Sequence, residues 1–175
     1  MKTPVIAACL PLLLAACASP PPAPVEAPDA LKPDGAQALL ATVAARGVQI
    51  YECRAAKDNP QAAAWVFVAP EANLYDGQGR LVGKHYAGPH WENNDGSKVV
   101  GSVKAKADAP QAGAIPWLLL ATHSDGPSGD FAKVTSVQRL NTVGGAAPSS
   151  GCTAATVGQG ARVPYSADYV LFAMR

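Results

Sequence analysis

Proline and glycine interrupt this chain too often for it to fold as a bundle of helices. Sixteen of each are spread over 175 residues. Both break helix interiors, glycine through backbone entropy and proline by removing an amide donor. The apolar residues accordingly come in short runs, and Asp-Gly pairs at Asp34, Asp76, Asp95 and Asp125 supply turn chemistry between many of them. Gly47 to Arg54 alternates, with Val48 and Ile50 as its apolar positions. Ala63 to Val68 carries Trp65, Val66 and Phe67, and Pro70 is expected to end it. Asp76-Gly77-Gln78-Gly79 reads as a hairpin turn between Ala72–Tyr75 and Leu81–Tyr86. Lys98–Lys106, Ile115–Thr122, Lys133–Thr142 and Tyr165–Met174 complete the series. The pattern predicts a mainly β fold, an antiparallel β-sandwich or barrel of about eight or nine strands. One short N-terminal helix is expected as well. Leu39, Leu40 and Val43 follow Pro33-Asp34-Gly35 at helical spacing, and Gly47 after Arg46 is a natural stop.

The ends of the chain differ in character. Val5 to Leu14 is apolar but too short to span a bilayer, and it leads into Leu14-Ala15-Ala16-Cys17. Residues 1–16 therefore read as a signal peptide with a bacterial lipobox, and Cys17 as the residue that takes the lipid. Residues 17–30 form a linker in which five of the thirteen residues after Cys17 are proline. Such a segment favours an extended polyproline conformation and would span about 40 Å. Residues 31–175 form the single β domain. The expected setting is the bacterial cell envelope, as an outer-membrane lipoprotein facing the periplasm, with a soluble secreted or periplasmic protein as the alternative. In that oxidising compartment Cys53 and Cys152, the two cysteines left over, are expected to form a disulfide. Charge is sparse and balanced, 14 Lys+Arg against 13 Asp+Glu, so no basic field exists to hold nucleic acid.

Several segments together are distinctive. Trp65-Val66-Phe67-Val68-Ala69-Pro70-Glu71-Ala72, Val82-Gly83-Lys84-His85-Tyr86-Ala87-Gly88-Pro89 and Trp91-Glu92 are followed by Asp95-Gly96-Ser97. Ile115-Pro116-Trp117-Leu118, Gln138-Arg139, Thr142-Val143-Gly144-Gly145, Gly151-Cys152 and Pro164-Tyr165-Ser166-Ala167-Asp168-Tyr169 come after them. This set resembles the family catalogued as domain of unknown function 3455, over roughly residues 31 to 175. The resemblance implies a secreted bacterial or fungal protein whose activity is not established. Some fungal relatives carry a malate dehydrogenase name, but no G-x-G-x-x-G follows a strand here. No cofactor is expected.

The densest polar stretch is His85 to Ser97. A ligand pocket there would use Tyr86 and Trp91 as apolar faces and His85, Glu92, Asp95 and Arg139 as polar groups. A metal site would draw on His85, His90 and Glu92, joined by His123, because imidazole and carboxylate suit zinc or copper. It requires Gly88-Pro89 to turn the chain, since residues five apart on one strand lie on opposite faces. A hydrolase would use a metal or the Glu92 and Asp95 carboxylates, and Arg139 is placed to neutralise Glu92 or Asp168. The stretch is otherwise a polar loop, or a protruding one that meets an envelope partner. The function expected is a non-enzymatic envelope lipoprotein, held at the membrane by its lipid, that binds a small molecule or an envelope protein. The alternative is the metal- or carboxylate-dependent hydrolase.

Overall fold

The computed structural model describes residues 26–175. The expected signal peptide, the expected lipidation site Cys17 and most of the expected proline-rich linker lie outside the described residues. Eight strands run in chain order: β1 (Gln37–Ala56), β2 (Asn59–Tyr75), β3 (Leu81–Tyr86), β4 (His90–Asn93), β5 (Lys98–Ala107), β6 (Trp117–Ser124), β7 (Val134–Gly144) and β8 (Gly160–Met174). Each pairs antiparallel with its sequence neighbour, and β8 returns to pair with β1, so the sheet closes into an up-and-down barrel. Closure leaves no edge strand unpaired.

Two expectations about the first half of the chain are corrected. Leu39, Leu40 and Val43 lie in a strand, not a helix, because this part of β1 pairs with β8, Leu39 with Phe172 and Val43 with Tyr169, before β2 joins on the other side from Ala44 on. The ladder outweighs the helix preference of its alanines. Between Ala27 and Leu31 the only helical element is a 3-10 turn, Asp29–Leu31. Pro70 does not end a strand either: Ala63–Val68 and Ala72–Tyr75 are parts of one strand, β2. Pro70 sits opposite Gln49, beside a bulge at which Ile50 pairs with Ala69 but Tyr51 pairs with Phe67. A bulge is where a sheet tolerates a residue without an N–H.

The alternation of β1 turns the Gln49, Tyr51 and Cys53 side inward. Val43, Ala45, Gln49, Tyr51 and Cys53 are buried, whereas Val48 and Ile50 are only half-buried. Around the barrel one row of paired residues passes from Tyr165 through Gly47, Ala72, His85 and Trp91 to Val99. All but Gly47 are buried. Arg46, Glu71, Lys84, Glu92 and Asp168 fall on the alternate positions, with apolar groups inside and charges outside. A membrane-spanning barrel has the reverse arrangement.

The interior divides along the barrel axis. At one end Val43, Leu74, Val99, Val137 and Leu171 pack together, with Phe131, from the connection before β7, among them. The other end carries the β5–β6 and β7–β8 connections. These are tied to each other by an Ala114–Gly145 bridge and by Ile115 N donating to Gly144 O at 2.9 Å. The expected disulfide is present, Cys53–Cys152, with Cα atoms 5.3 Å apart, and it holds the β7–β8 connection against the end of β1. On the outer wall Leu31 is fully buried against Trp117 and Leu140, and Gln138 Nε2 donates to its carbonyl at 2.6 Å. Ala27 packs on the same cluster, so chain assigned to the linker is already docked.

Candidate functional site

The stretch from His85 to Ser97 is the β3–β4 hairpin and the turn after it, neither a polar loop nor a protruding one. Gly88, at φ 127°, lets the chain reverse so that Tyr86 pairs with His90, Lys84 with Glu92 and His85 with Trp91. Alternation then sends neighbouring residues to opposite sides of the wall. His85 and Trp91 point inward, 3% and 1% exposed. Their rings stack with centroids 4.4 Å apart, and the Tyr169 ring meets both edge-on. Gly101 makes room for this stack: a Cβ there would come within 2.8 Å of the Trp91 ring.

Outside, the same hairpin carries a charged surface network. Tyr86 donates to Glu92 Oε2 at 2.6 Å, Lys84 pairs with Glu92 at 3.1 Å, and His90 Nε2 meets Asp125 Oδ2 at 2.9 Å. The Tyr86 hydroxyl is pushed up to about 12, chiefly by its hydrogen bond to Glu92, and that bond holds the Glu92 carboxyl below its usual range. Asp95 serves the β4–β5 turn. It accepts from Ser97 N at 2.8 Å, from the Ser97 hydroxyl at 2.5 Å and from Asp130 N at 2.9 Å. These bonds, the Ser97 hydroxyl foremost, lower its pKa.

His85, His90 and Glu92 are therefore not one ligand set, because the wall of the barrel separates the His85 ring from the Glu92 carboxylate. His123, paired opposite Val100, is exposed. Among the described residues no three His, Cys, Asp or Glu side chains gather closely enough to hold a metal. Glu92 and Asp95 do not form an acid–base pair across a cleft either. Both are held ionised on the outer side, whereas a general acid needs a raised pKa. Arg139 pairs with neither Glu92 nor Asp168. Its Nε and Nη2 donate to Pro116 O at 3.0 and 2.8 Å, while Asp168 takes a bond from Asn141 Nδ2.

His85, Trp91 and Arg139 do come together, inside the open end of the barrel. They line a cavity of about 560 Å³ with Gln49, Tyr51 and Tyr169, apolar walls from Ile115, Pro116, Leu118 and Leu120, and a rim of Phe67, Val68 and Val103. That volume suits a small organic molecule. The rim residues are half-exposed, apolar and contiguous with the interior. His85 Nδ1 lies 2.7 Å from His90 O. A carbonyl only accepts, so Nδ1 carries the proton and Nε2 the lone pair. Burial holds the ring neutral, with its pKa lowered to about 3 despite that bond. Burial likewise raises the phenols of Tyr51, Tyr165 and Tyr169.

Two side chains on this lining bury a nitrogen behind it. Gln49 Nε2 and Trp91 Nε1 are buried without a hydrogen bond, in side chains that are 2% and 1% exposed. A third such atom, Trp117 Nε1, belongs to the outer cluster under Leu31. A shallower depression of about 390 Å³ lies over Arg46, Gly47, Glu71, Lys84 and Arg162. Several of its charges are already matched, Arg162 with Glu71 at 2.7 Å and Lys84 with Glu92.

Gln49, Tyr51 and Tyr169, which line the cavity, are not among the expected site residues. Tyr51 and Cys53 mark the inward phase of β1, and Gln49 shares it. A cysteine destined for a buried disulfide was thus the signal for the face that Gln49 occupies.

No curated protein and no solved structure matches the chain. A family model described as "Protein of unknown function (DUF3455)" matches residues 33–173. That match takes in all eight strands but for the last residue of β8, and every residue that lines the cavity. By that match, the chain belongs to the DUF3455 family.

Proposed function

We propose that this protein binds a small molecule in the open end of its barrel and is not itself a hydrolase. The observation that carries the reading is a largely apolar cavity of about 560 Å³ in the open end of the barrel, with the Arg139 cation on its lining. The ligand's apolar body would lie against Ile115, Leu118 and Leu120 and reach the rim at Phe67 and Val68. The carboxylates on which hydrolysis would depend, Glu92 and Asp95, do not line this cavity.

Envelope placement belongs to the same proposal. Lipid on Cys17 would anchor the barrel to a membrane surface, and the Cys53–Cys152 disulfide suits an oxidising compartment. N-phenyl-1-naphthylamine, a neutral dye that brightens in apolar sites, tests the cavity. Saturable binding of one dye per protein, with a rise in Tm that follows dye concentration, is the expected result. A folded protein that shows neither overturns the proposal.

A further inference from the structure

We infer that the molecule held in the barrel is an amphipathic carboxylate, with Arg139 as its counter-ion. This rests on the binding reading above and adds the chemistry of the head group.

Of the residues that line the cavity, Arg139 alone carries a permanent charge, and it is a cation. Its Nε and one Nη2 bond are spent on the Pro116 carbonyl, which is polar but uncharged, and further N–H groups remain. Among the described residues no carboxylate lies within ion-pair distance of it, although eight other ion pairs are formed.

The groups around Arg139 offer no hidden anion. His85 is neutral, and the phenols of Tyr51, Tyr165 and Tyr169 are held protonated by burial. The nearby acids Glu71, Glu92, Asp125 and Asp168 are engaged on the outer wall. A partly dehydrated guanidinium among apolar side chains is costly unless a charge answers it. One cation matches the single charge of a carboxylate. A phosphate monoester would bring nearly two charges to one arginine. The walls of Ile115, Leu118 and Leu120 then take the apolar remainder.

The test is displacement of N-phenyl-1-naphthylamine by octanoate and by octanol, which share a chain and differ in the head group. Octanoate is expected to displace the dye at a concentration roughly tenfold lower than octanol, the margin of one charge-assisted contact. In Arg139→Gln that ratio is expected to fall toward one, and in Arg139→Lys to be largely restored. Equal displacement by the two in the wild type overturns the carboxylate inference and leaves the cavity reading intact. A preference for octanoate that survives in folded Arg139→Gln overturns the role of Arg139. Failure of the dye to bind removes the cavity reading itself. The wild-type comparison decides the head group even if Arg139→Gln does not fold.

Discussion

His85 sits where a positive charge is most expensive, stacked on Trp91 in the barrel interior with Tyr169 at its edge. Its pKa of about 3 lies below the value near 6.5 that it recovers on unfolding. Between those values the unfolded chain binds a proton that the native state refuses, so stability rises with pH and is lost on acidification. The slope is about 1.4 kcal/mol per pH unit for one such group. Asp76, Asp95 and Asp125 have lowered pKa values and add a slope of the same sign, but only where carboxylates titrate, below about pH 4.5. Urea unfolding of the wild type is thus expected to lose stability from pH 6.5 to pH 5, and His85→Gln to lose much less. A wild type equally stable at both values would mean that the ring is not buried neutral. The sequence singled out His85 for its polar neighbours. It did not reveal that Gly88 would send those neighbours to the other side of the wall.

At the scale of the element, β1 shows both what can be read locally and what cannot. The β2–β3 turn was legible because its chemistry is local. Asp76 Oδ1 accepts from Gln78 N and Arg80 N, both at 2.9 Å, and Gly79 takes φ 75°. The inward alternation of β8, with Tyr169 and Leu171 on one face, was legible for the same reason. The first half of β1 was not. Its inward positions, Val43, Ala45 and Gly47, shrink along the strand, and small residues blur a two-residue period into something that passes for a helix. Their smallness has a tertiary cause that no local pattern displays. Gly47 lies so close to β2 that a Cβ there would be 2.5 Å from Ala72 Cα and would overlap Glu71 O. It is neither a helix stop nor a flexible joint. Gly47→Ala is therefore expected to destabilise the protein by about 1–3 kcal/mol, the cost of overpacking, in chemical denaturation. A helix C-cap role would instead tolerate alanine with a smaller loss and no change in the β1–β2 pairing.

At the scale of the molecule, the barrel separates stability from binding along its axis. Phe131, from the β6–β7 connection, is 4% exposed in the packed end, whereas Phe67 stands half-exposed at the rim of the cavity, its ring 5.8 Å from Tyr51. The two phenylalanines are chemically identical, so their different surroundings can be measured directly. Phe131→Ala removes a buried ring and is expected to cost about 3–5 kcal/mol. The dye should still bind with wild-type affinity per folded molecule, because Phe131 does not line the cavity. Phe67→Ala removes a ring that water already reaches. It is expected to cost about 1 kcal/mol or less in stability and to weaken dye binding several-fold. The disulfide ties the β7–β8 connection to β1 at the open end. Equal losses of stability at the two positions would mean that the open end is packed like the other, and a barrel packed at both ends has no room for a ligand.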